Sequence, residues 1–549
     1  MHDPVFAAPT QYGTAYHAYV NAVLAAHGPE EQRAEYADRA LRGVDAALRH
    51  TENPQLPPTG SGFDRDTGSI LSAGNHRDFT WPPILKAYRI LRDLGADRIA
   101  DLGRRIAAVD IEASFRSRPP SNWSSVWLSG EWIRVQEGLS PNSTDAVDSW
   151  INGFFERIDL ELGWYEEPGR PNSYDLFTRF HLLDLLAEGY AGAQADRLRT
   201  LLHSGLRRSL NVQMSDGSLP SAHRSAGQSW TDGVQIAYFT HAADLIGDTE
   251  LADRARSAGR RAFGSLARWQ RPGGPFSPVQ NLLPPTARVG YEGYTADAHY
   301  SNLALGFLAN AIHCGFEAGP IEPERAPSYR VEQEPISRAV VHSGRTSVQV
   351  NAAPAPAYDG FGITDITFGP DRRLHFSSSV KSSFTGSFVN VGLGVRRNGP
   401  GRSKLVPLAG REHAVEGDIE SSGSRVLVRS AVADSGLDEW PSLDYQLQVD
   451  IVPDGVDVVE STPGLNSPKS VLVPYLRDAG AGVTTVVEEA ADGAVLVHGG
   501  ERIRITVDGP IEAVLDLPTG YENRRGLCGL LRIDLAGRTQ SVRYRIRGY

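Results

Sequence analysis

The sequence has little sulfur and little lysine. It contains 2 Cys and 2 Met in 549 residues, and Lys occurs only at Lys86, Lys381, Lys404 and Lys469 among 55 cationic residues. Cys314 and Cys528 are far apart in the chain, which excludes the disulfide framework of small secreted domains and argues for a reducing compartment. The remaining cations are Arg, a bias that fits the codon usage of a GC-rich bacterial genome. No stretch approaches the roughly 18 consecutive apolar residues of a membrane span. Met1-His2-Asp3-Pro4-Val5-Phe6 lacks a cationic segment followed by an apolar one, so a cytoplasmic protein is expected, or a secreted one if a leader has been removed. A formal charge of −11 leaves no broad basic face, which excludes nucleic acid as a partner, and no membrane partner is expected. Gly-x-Ser-x-Gly, P-loop, His-Glu-x-x-His and Cys-x-x-Cys motifs are all missing. Serine hydrolase, NTPase and zinc protease chemistry are thereby excluded, and neither cofactor nor metal is expected. The sequence sets no oligomeric state.

With 40% apolar and 22% charged residues, what remains is an ordinary globular composition. From residue 14 to about 315, apolar residues recur at helical spacing in segments separated by short Gly, Pro, Ser and Asp loops. The spacing predicts helices over 14–26, 31–48, 81–94, 97–113, 125–137, 144–158, 174–190, 194–210, 230–245, 248–268 and 296–314. Consecutive pairing leaves an open solenoid or a closed toroid, because each helix must bury a face. No fixed-period repeat supports the solenoid. Beyond Pro320-Ile321-Glu322-Pro323 the texture changes to short alternating runs, such as Ser347-Val348-Gln349-Val350-Asn351 and Ile503-Arg504-Ile505-Thr506-Val507, broken by Asp-Gly, Asn-Gly and Gly-Gly turns. Gly392-Leu393-Gly394 falls there with no helix after it, so it reads as a strand bend rather than a dinucleotide loop. The expected fold is α+β: an N-terminal (α/α)6-type toroid over residues 1–318, a Pro-rich linker over 319–328, and an antiparallel β-sandwich over 329–549.

Polar and aromatic residues concentrate in five segments of the helical half. His76 and Arg77 precede Asp78 and a Pro82-Pro83 helix start. Asn122 is either a helix cap or a site residue, and Trp123, Trp127 and Glu131 share one helix face, where they either stack on sugars or fill the core. Tyr174 and His181 share a face that Arg179 leaves; they form a proton-transfer pair if that face lines the cavity. His223 beside Arg224 is expected to stay neutral because the neighbouring cation disfavours imidazolium, while Arg224 suits a carboxylate. Tyr294, His299 and Tyr300 either wall a site or pack against the second domain.

This layout resembles the heparinase/hyaluronate-lyase-like superfamily of polysaccharide lyases, in architecture over the whole chain and in motif over short stretches. The resemblance implies an Asn, sometimes with an Arg, that neutralises a uronate carboxylate, and a Tyr or His that moves the C5 proton. Asn122 and Tyr174 stand in that order and at a similar separation, with His223 or His299 as the later histidine. Trp123 departs from the pattern, since many members carry His after the Asn. The segments Asn122-Trp123, Gly163-Trp164-Tyr165, Tyr174-Asp175, Asp216-Gly217-Ser218-Leu219-Pro220 and Arg224-Ser225 are also similar to a related toroid family that includes exo-acting β-glucuronidases.

The expectation is an enzyme that cleaves an acidic, uronate-containing glycan by β-elimination. The catalytic candidates are Asn122, Tyr174, His223, Arg224 and Tyr300. The substrate-binding candidates are His76, Arg77, Trp123, Trp127, Glu131, His181, Tyr294 and His299. The alternatives are a glycoside hydrolase, which needs a carboxylate pair drawn from Asp78, Glu131, Glu167, Asp175, Asp232 and Glu292, and a non-catalytic glycan-binding protein.

Overall fold

A computed structural model describes residues 12–53, 62–63, 70–71, 77–115, 117–220, 223–321, 337–353, 358–369, 380–383, 388–399, 402–410, 417–432 and 443–549. His76 and most of the Pro-rich linker lie outside these residues. The chain forms two compact units. One holds the helices. The other holds the three large sheets together with two segments, Asn211–Gly227 and Val279–Gly290, that the sequence pattern groups with the helices.

The helices are α1 (Tyr12–His27), α2 (Arg33–Glu52), α3 (Trp81–Asp93), α4 (Ile99–Ala107), α5 (Asn122–Gln136), α6 (Thr144–Phe154), α7 (Asn172–Ala187), α8 (Ala195–Val212), α9 (Ser229–Leu245), α10 (Thr249–Ala267) and α11 (Asp297–His313), with one isolated turn at Ile111–Ser114. The odd-numbered helices form a closed inner ring: α1 packs on α3, α3 on α5, α5 on α7, α7 on α9, α9 on α11, and α11 back on α1. This is the (α/α) toroid. Burial explains the two layers. Every residue from Ser229 to Ala243 of α9 is buried, whereas α2 buries only Ala40, Val44, Ala47, Leu48 and Thr51, the stripe of an outer helix. Two glycines set the ring's tightness. A Cβ at Gly130 of α5 would lie 2.8 Å from the backbone of Trp81 and Pro82, and one at Gly233 of α9 would lie 2.9 Å from Ala304 O of α11.

Because inner and outer helices alternate in direction, the inner helices run parallel and their N-termini gather at one end. That end carries Tyr12, Phe79, Asn122, Tyr174, Trp230 and Tyr300.

The second unit is built from antiparallel sheets of eight, seven and three strands. Strand Leu443–Val452 alternates buried and more exposed residues along its length, the signature of a sheet with one face on the core. Val348, Leu393, Val426, Leu447, Val471, Ile533 and Ile546, drawn from all three sheets, share one apolar core, as in a β-sandwich. Arg525, 1% exposed, ties the two added segments to the strands: its guanidinium donates to Gln280 Oε1 at 3.0 Å, Asp365 Oδ1 at 3.3 Å and Ser218 Oγ at 3.4 Å.

Candidate active site

The helix N-termini of the inner ring support a continuous aromatic layer. The rings of Tyr12 and His299 lie 4.3 Å apart, Tyr12 and Phe79 5.4 Å, Phe79 and Trp123 5.7 Å, Phe79 and Phe177 5.6 Å, Phe177 and Trp230 5.4 Å, and Tyr174 and Trp230 5.9 Å. Tyr294 and Tyr300 close the layer at 6.2 Å. Tyr174, Tyr294 and Trp123 remain part-exposed, while Tyr12 and Tyr300 are 3% and 8% exposed. The Tyr12 and Tyr300 hydroxyls are hydrogen-bonded, and burial pushes both phenols well above the ordinary tyrosine range. Both therefore stay protonated and can donate hydrogen bonds. Tyr174 acts electrostatically on each of them, so these phenols form one cluster.

Asn122 occupies the first position of α5 rather than its cap. Ser121 is the cap, accepting a hydrogen bond from Trp123 N at 3.3 Å. The Asn122 amide is thus released for another partner, and Asn122 Nδ2 donates to Glu167 Oε1 at 2.8 Å. Glu167 follows the short strand Trp164–Tyr165 and also accepts from Tyr165 OH at 3.3 Å. Asn122 Oδ1 is buried without a hydrogen-bond partner.

His181 lies deeper than the aromatic layer. It is 2% exposed, Phe177 separates it from Tyr174 with ring distances of 4.6 and 6.4 Å, and burial pushes its pKa down to about 3. Its Nδ1 meets Ser129 Oγ at 3.3 Å. The expected Tyr174–His181 proton-transfer pair is therefore corrected: the shared helix face exists, but an aromatic ring fills the space between the two groups.

Three other sequence candidates belong to packing. Arg77 is 2% exposed and donates to His50 O at 2.6 Å and Asn53 O at 3.3 Å, which ties the start of α3 to the end of α2. Trp127, 1% exposed, packs between Phe115 and Trp150 and donates from Nε1 to Ser117 O at 3.2 Å. Glu131 is fully buried, accepting from Trp81 Nε1 at 3.1 Å and Asn142 Nδ2 at 2.9 Å and pairing with buried Arg134 at 3.3 Å. Trp123, Trp127 and Glu131 do share a face, but only the first turn of α5 reaches the open end.

Most of the carboxylates that a hydrolase would need are likewise engaged. Asp78 accepts from Ser117, Asp175 is held by both arms of Arg179 at 2.8 and 2.7 Å, and Asp232 accepts from Ser265 Oγ at 3.1 Å. Each of these three is at most 2% exposed. Asp297, which no sequence motif singles out, is clamped by Arg271 at 2.8 and 3.1 Å and by Tyr291 OH at 2.6 Å. Glu167, at 6% exposure, and the part-exposed Glu292 are the remaining members of the carboxylate set.

His223 and Arg224 lie in the second unit. His223 has φ +60°, its backbone N donates to Asp359 Oδ2 at 2.6 Å, and its ring lies 4.3 Å from that of Tyr358 at a tilt of 31°. Burial first, then the charges of Arg224, Arg338 and Arg524, bring its pKa down to about 4. The imidazole is neutral at physiological pH, in the direction its Arg neighbour implied.

No known family profile matches the sequence, and no curated protein matches it. Solved structures do. Heparinase III is 13% identical over 94% of this chain and 90% of its own, with a TM-score of 0.34. Chondroitin AC lyase of Streptomyces coelicolor A3, in complex with chondroitin sulphate, is 12% identical over 97% and 82%, with a TM-score of 0.39. A glycosyl hydrolase of family 88 from Bacteroides vulgatus is 12% identical over 56% and 92%, with a TM-score of 0.37. Among the described residues, no helix is long and apolar enough to cross a membrane.

The sequence named Tyr174, Tyr294, His299 and Tyr300 for this end of the ring, and the structure brings them into one layer. It missed Tyr12, Phe79 and Trp230. The first residue of the first helix meets the last helix only through ring closure, which no local pattern encodes.

Proposed function

We propose that the protein is an enzyme that cleaves an acidic, uronate-containing glycan by β-elimination. The observation that carries this reading is the make-up of the open end of the ring. Four tyrosines, Tyr12, Tyr174, Tyr294 and Tyr300, converge there, while Asp78, Glu131, Asp175 and Asp232 are buried in structural bonds. Elimination needs a group that takes the proton α to a carboxylate and returns one to the leaving oxygen, and a half-exposed phenol can do both. Tyr174 is assigned that role. Tyr12 and Tyr300, held protonated, supply hydrogen bonds as charge develops on the Tyr174 oxygen. Asn122 is assigned to the uronate carboxyl. An acidic ligand also suits six convergent helix N-termini, whose dipoles favour negative charge. Aromatic rings such as Trp123 and Tyr294 offer stacking surfaces for sugar faces, with His299 supporting Tyr12 from beneath.

His223 and Arg224 are proposed to recognise an anionic group. His223 is neutral and the charges that act on it are all guanidiniums, a composition suited to carboxylate or sulfate oxygens.

Hydrolysis is the second reading, and Glu167 is what favours it, as a carboxylate beside Asn122 in the aromatic end. A non-catalytic glycan-binding protein would need an open aromatic groove without converging titratable groups, and the tyrosine cluster argues against that. Incubation with a panel of uronate-containing glycans, read by ultraviolet absorbance of an unsaturated uronate and by reducing ends, tests the proposal. Both signals are expected together; reducing ends without the chromophore on an intact substrate would refute elimination.

A further inference from the structure

The aromatic layer lies at the N-termini of the inner helices, and a different pair of groups stands at their C-termini, where the ring closes. His27 is the last residue of α1 and His313 the last of α11. The two are 286 residues apart in sequence, yet α11 packs back on α1, and this brings His27 Nε2 to 2.9 Å from His313 Nδ1. The ring centroids are 5.2 Å apart and the ring planes meet at 67°. Both residues are exposed, so an ion from solvent reaches the pair.

A neutral imidazole carries its proton on either nitrogen, so both rings can place theirs on the outer nitrogen and turn a lone pair inward. Ring nitrogens bind divalent transition ions at about 2.0–2.1 Å. At that length two tetrahedral ligands stand about 3.3–3.4 Å apart, and two cis ligands at a right angle about 2.9 Å. The observed separation is the second, the arrangement of the tetragonal ions nickel(II) and copper(II) rather than of zinc(II). An N–H···N hydrogen bond has the same length, and what makes this pair a cation site is where it stands. Each histidine ends a helix, where the partial negative charge of the last carbonyls favours a cation, and two such ends meet here. Of the side chains whose charges act on His313, Lys86 and Arg89 are both bonded to Glu188, at 2.6 and 2.5 Å, and Lys86 also to Asp184 at 2.8 Å, so their positive charge is largely offset. Burial first, then His27 and Lys86, hold the His313 imidazole below its ordinary pKa, in the neutral form that ligates. Among the described residues no set of three His, Cys, Asp or Glu side chains is placed to hold a metal, so the remaining coordination positions fall to water.

We propose that His27 and His313 bind one divalent ion of tetragonal preference, nickel(II) or copper(II), as cis ligands, and that the ion staples the first inner helix to the last. Neighbouring inner helices elsewhere in the ring are joined through one outer helix and its loops. No such hairpin joins α1 to α11, so an ion held between their ends restrains the opening of the ring.

The test titrates the full chain with nickel(II) chloride at pH 7.5 by calorimetry, in wild type, His27→Gln, His313→Gln and Cys314→Ser, with zinc(II) chloride as the comparison ion. One site per chain is expected, tighter for nickel than for zinc. Each histidine variant should weaken it about tenfold or more, the scale on which metal sites respond to a lost partner. Cys314→Ser should bind as wild type, because the Cys314 thiol is directed to Asn310 Oδ1 at 4.0 Å. Saturating nickel should raise the melting temperature of wild type and leave that of both histidine variants unmoved. Both histidines are exposed, so the glutamine variants should give the wild-type circular dichroism. If either does not fold, the electron paramagnetic resonance spectrum of copper(II)-loaded wild type tests the pair without a substitution, and two nitrogen ligands are expected in it. No nickel site, a site undiminished in a histidine variant, a site lost in Cys314→Ser, tighter binding of zinc than of nickel, or a copper spectrum with a single nitrogen would overturn the proposal.

Discussion

Asn122 Nδ2 donates a 2.8 Å hydrogen bond to Glu167 Oε1, while Asn122 Oδ1 is left without a partner in a residue only 5% exposed. Glu167 therefore fixes how Asn122 presents its amide to the open end of the helix ring. Gln at 167 can still accept that bond through its own oxygen, but it cannot titrate. Glu167→Gln is expected to keep elimination activity within about tenfold of wild type, whereas Glu167→Ala should lower kcat by about a hundredfold with a smaller change in KM, because the amide loses its anchor. If Glu167 were a hydrolytic acid or base, Glu167→Gln would be as damaging as Glu167→Ala. Steady-state kinetics of the two variants decide the point.

Asn122→Ala and Tyr174→Phe should each reduce turnover by about 10²–10⁴-fold, the scale of losing charge stabilisation or a general acid–base. Tyr174 is part-exposed, so Tyr174→Phe should keep the wild-type circular dichroism and melting temperature, whereas Asn122→Ala takes a donor from buried Glu167 and should keep the fold at a cost of about 1–3 kcal/mol. Full activity in either variant would remove that residue from the mechanism.

Glu131 makes the opposite prediction. It is fully buried within α5, bonded to buried Trp81 and Arg134 and to part-buried Asn142. Glu131→Ala should cost about 3–5 kcal/mol in denaturant unfolding, since it strands the buried Arg134 guanidinium. A loss below about 1 kcal/mol would contradict the packing role.

His223 ties stability to pH. Its folded pKa of about 4 lies below the unfolded value near 6.5. Between those values the unfolded chain binds the extra proton, so stability falls as pH drops through that window and is fully present above it. His223→Asn removes the titrating group while suiting the left-handed backbone at φ +60°. The stability difference between wild type and variant should therefore move against wild type from about pH 6.5 to 4. An NMR titration that places His223 near 6.5 would refute the assigned environment.

The sequence made the helix ladder legible because its punctuation is strong. The predicted 81–94 helix is observed at Trp81–Asp93, framed by Pro82-Pro83 and Leu94-Gly95. The spacing predicts a helix from residue 125, and α5 starts at Asn122, because Ser121 rather than Asn122 is the cap. The site was less legible, for a physical reason. Arg77, Glu131 and Tyr174 are equally polar or amphipathic in the sequence, yet what separates structure from site is the partner. Glu131 bonds Trp81, fifty residues away, and Arg77 bonds the end of α2. Such pairings exist only after the ring has closed. The same holds for Tyr12, whose ring meets Phe79, His299 and Tyr300 from the far end of the helical unit. The placement of Asn211–Gly227 with the sheets rests on Arg525, whose three bonds span more than 150 residues each.

The chemistry itself is tested most directly by running the reaction on a uronate-containing glycan in ¹⁸O-labelled water and weighing the products. Elimination splits the glycosidic bond without adding water, so the account predicts an unsaturated, ultraviolet-absorbing product and no label fixed by the cleavage step at either new end. One ¹⁸O incorporated at the cleaved linkage, with no unsaturated product, would contradict it.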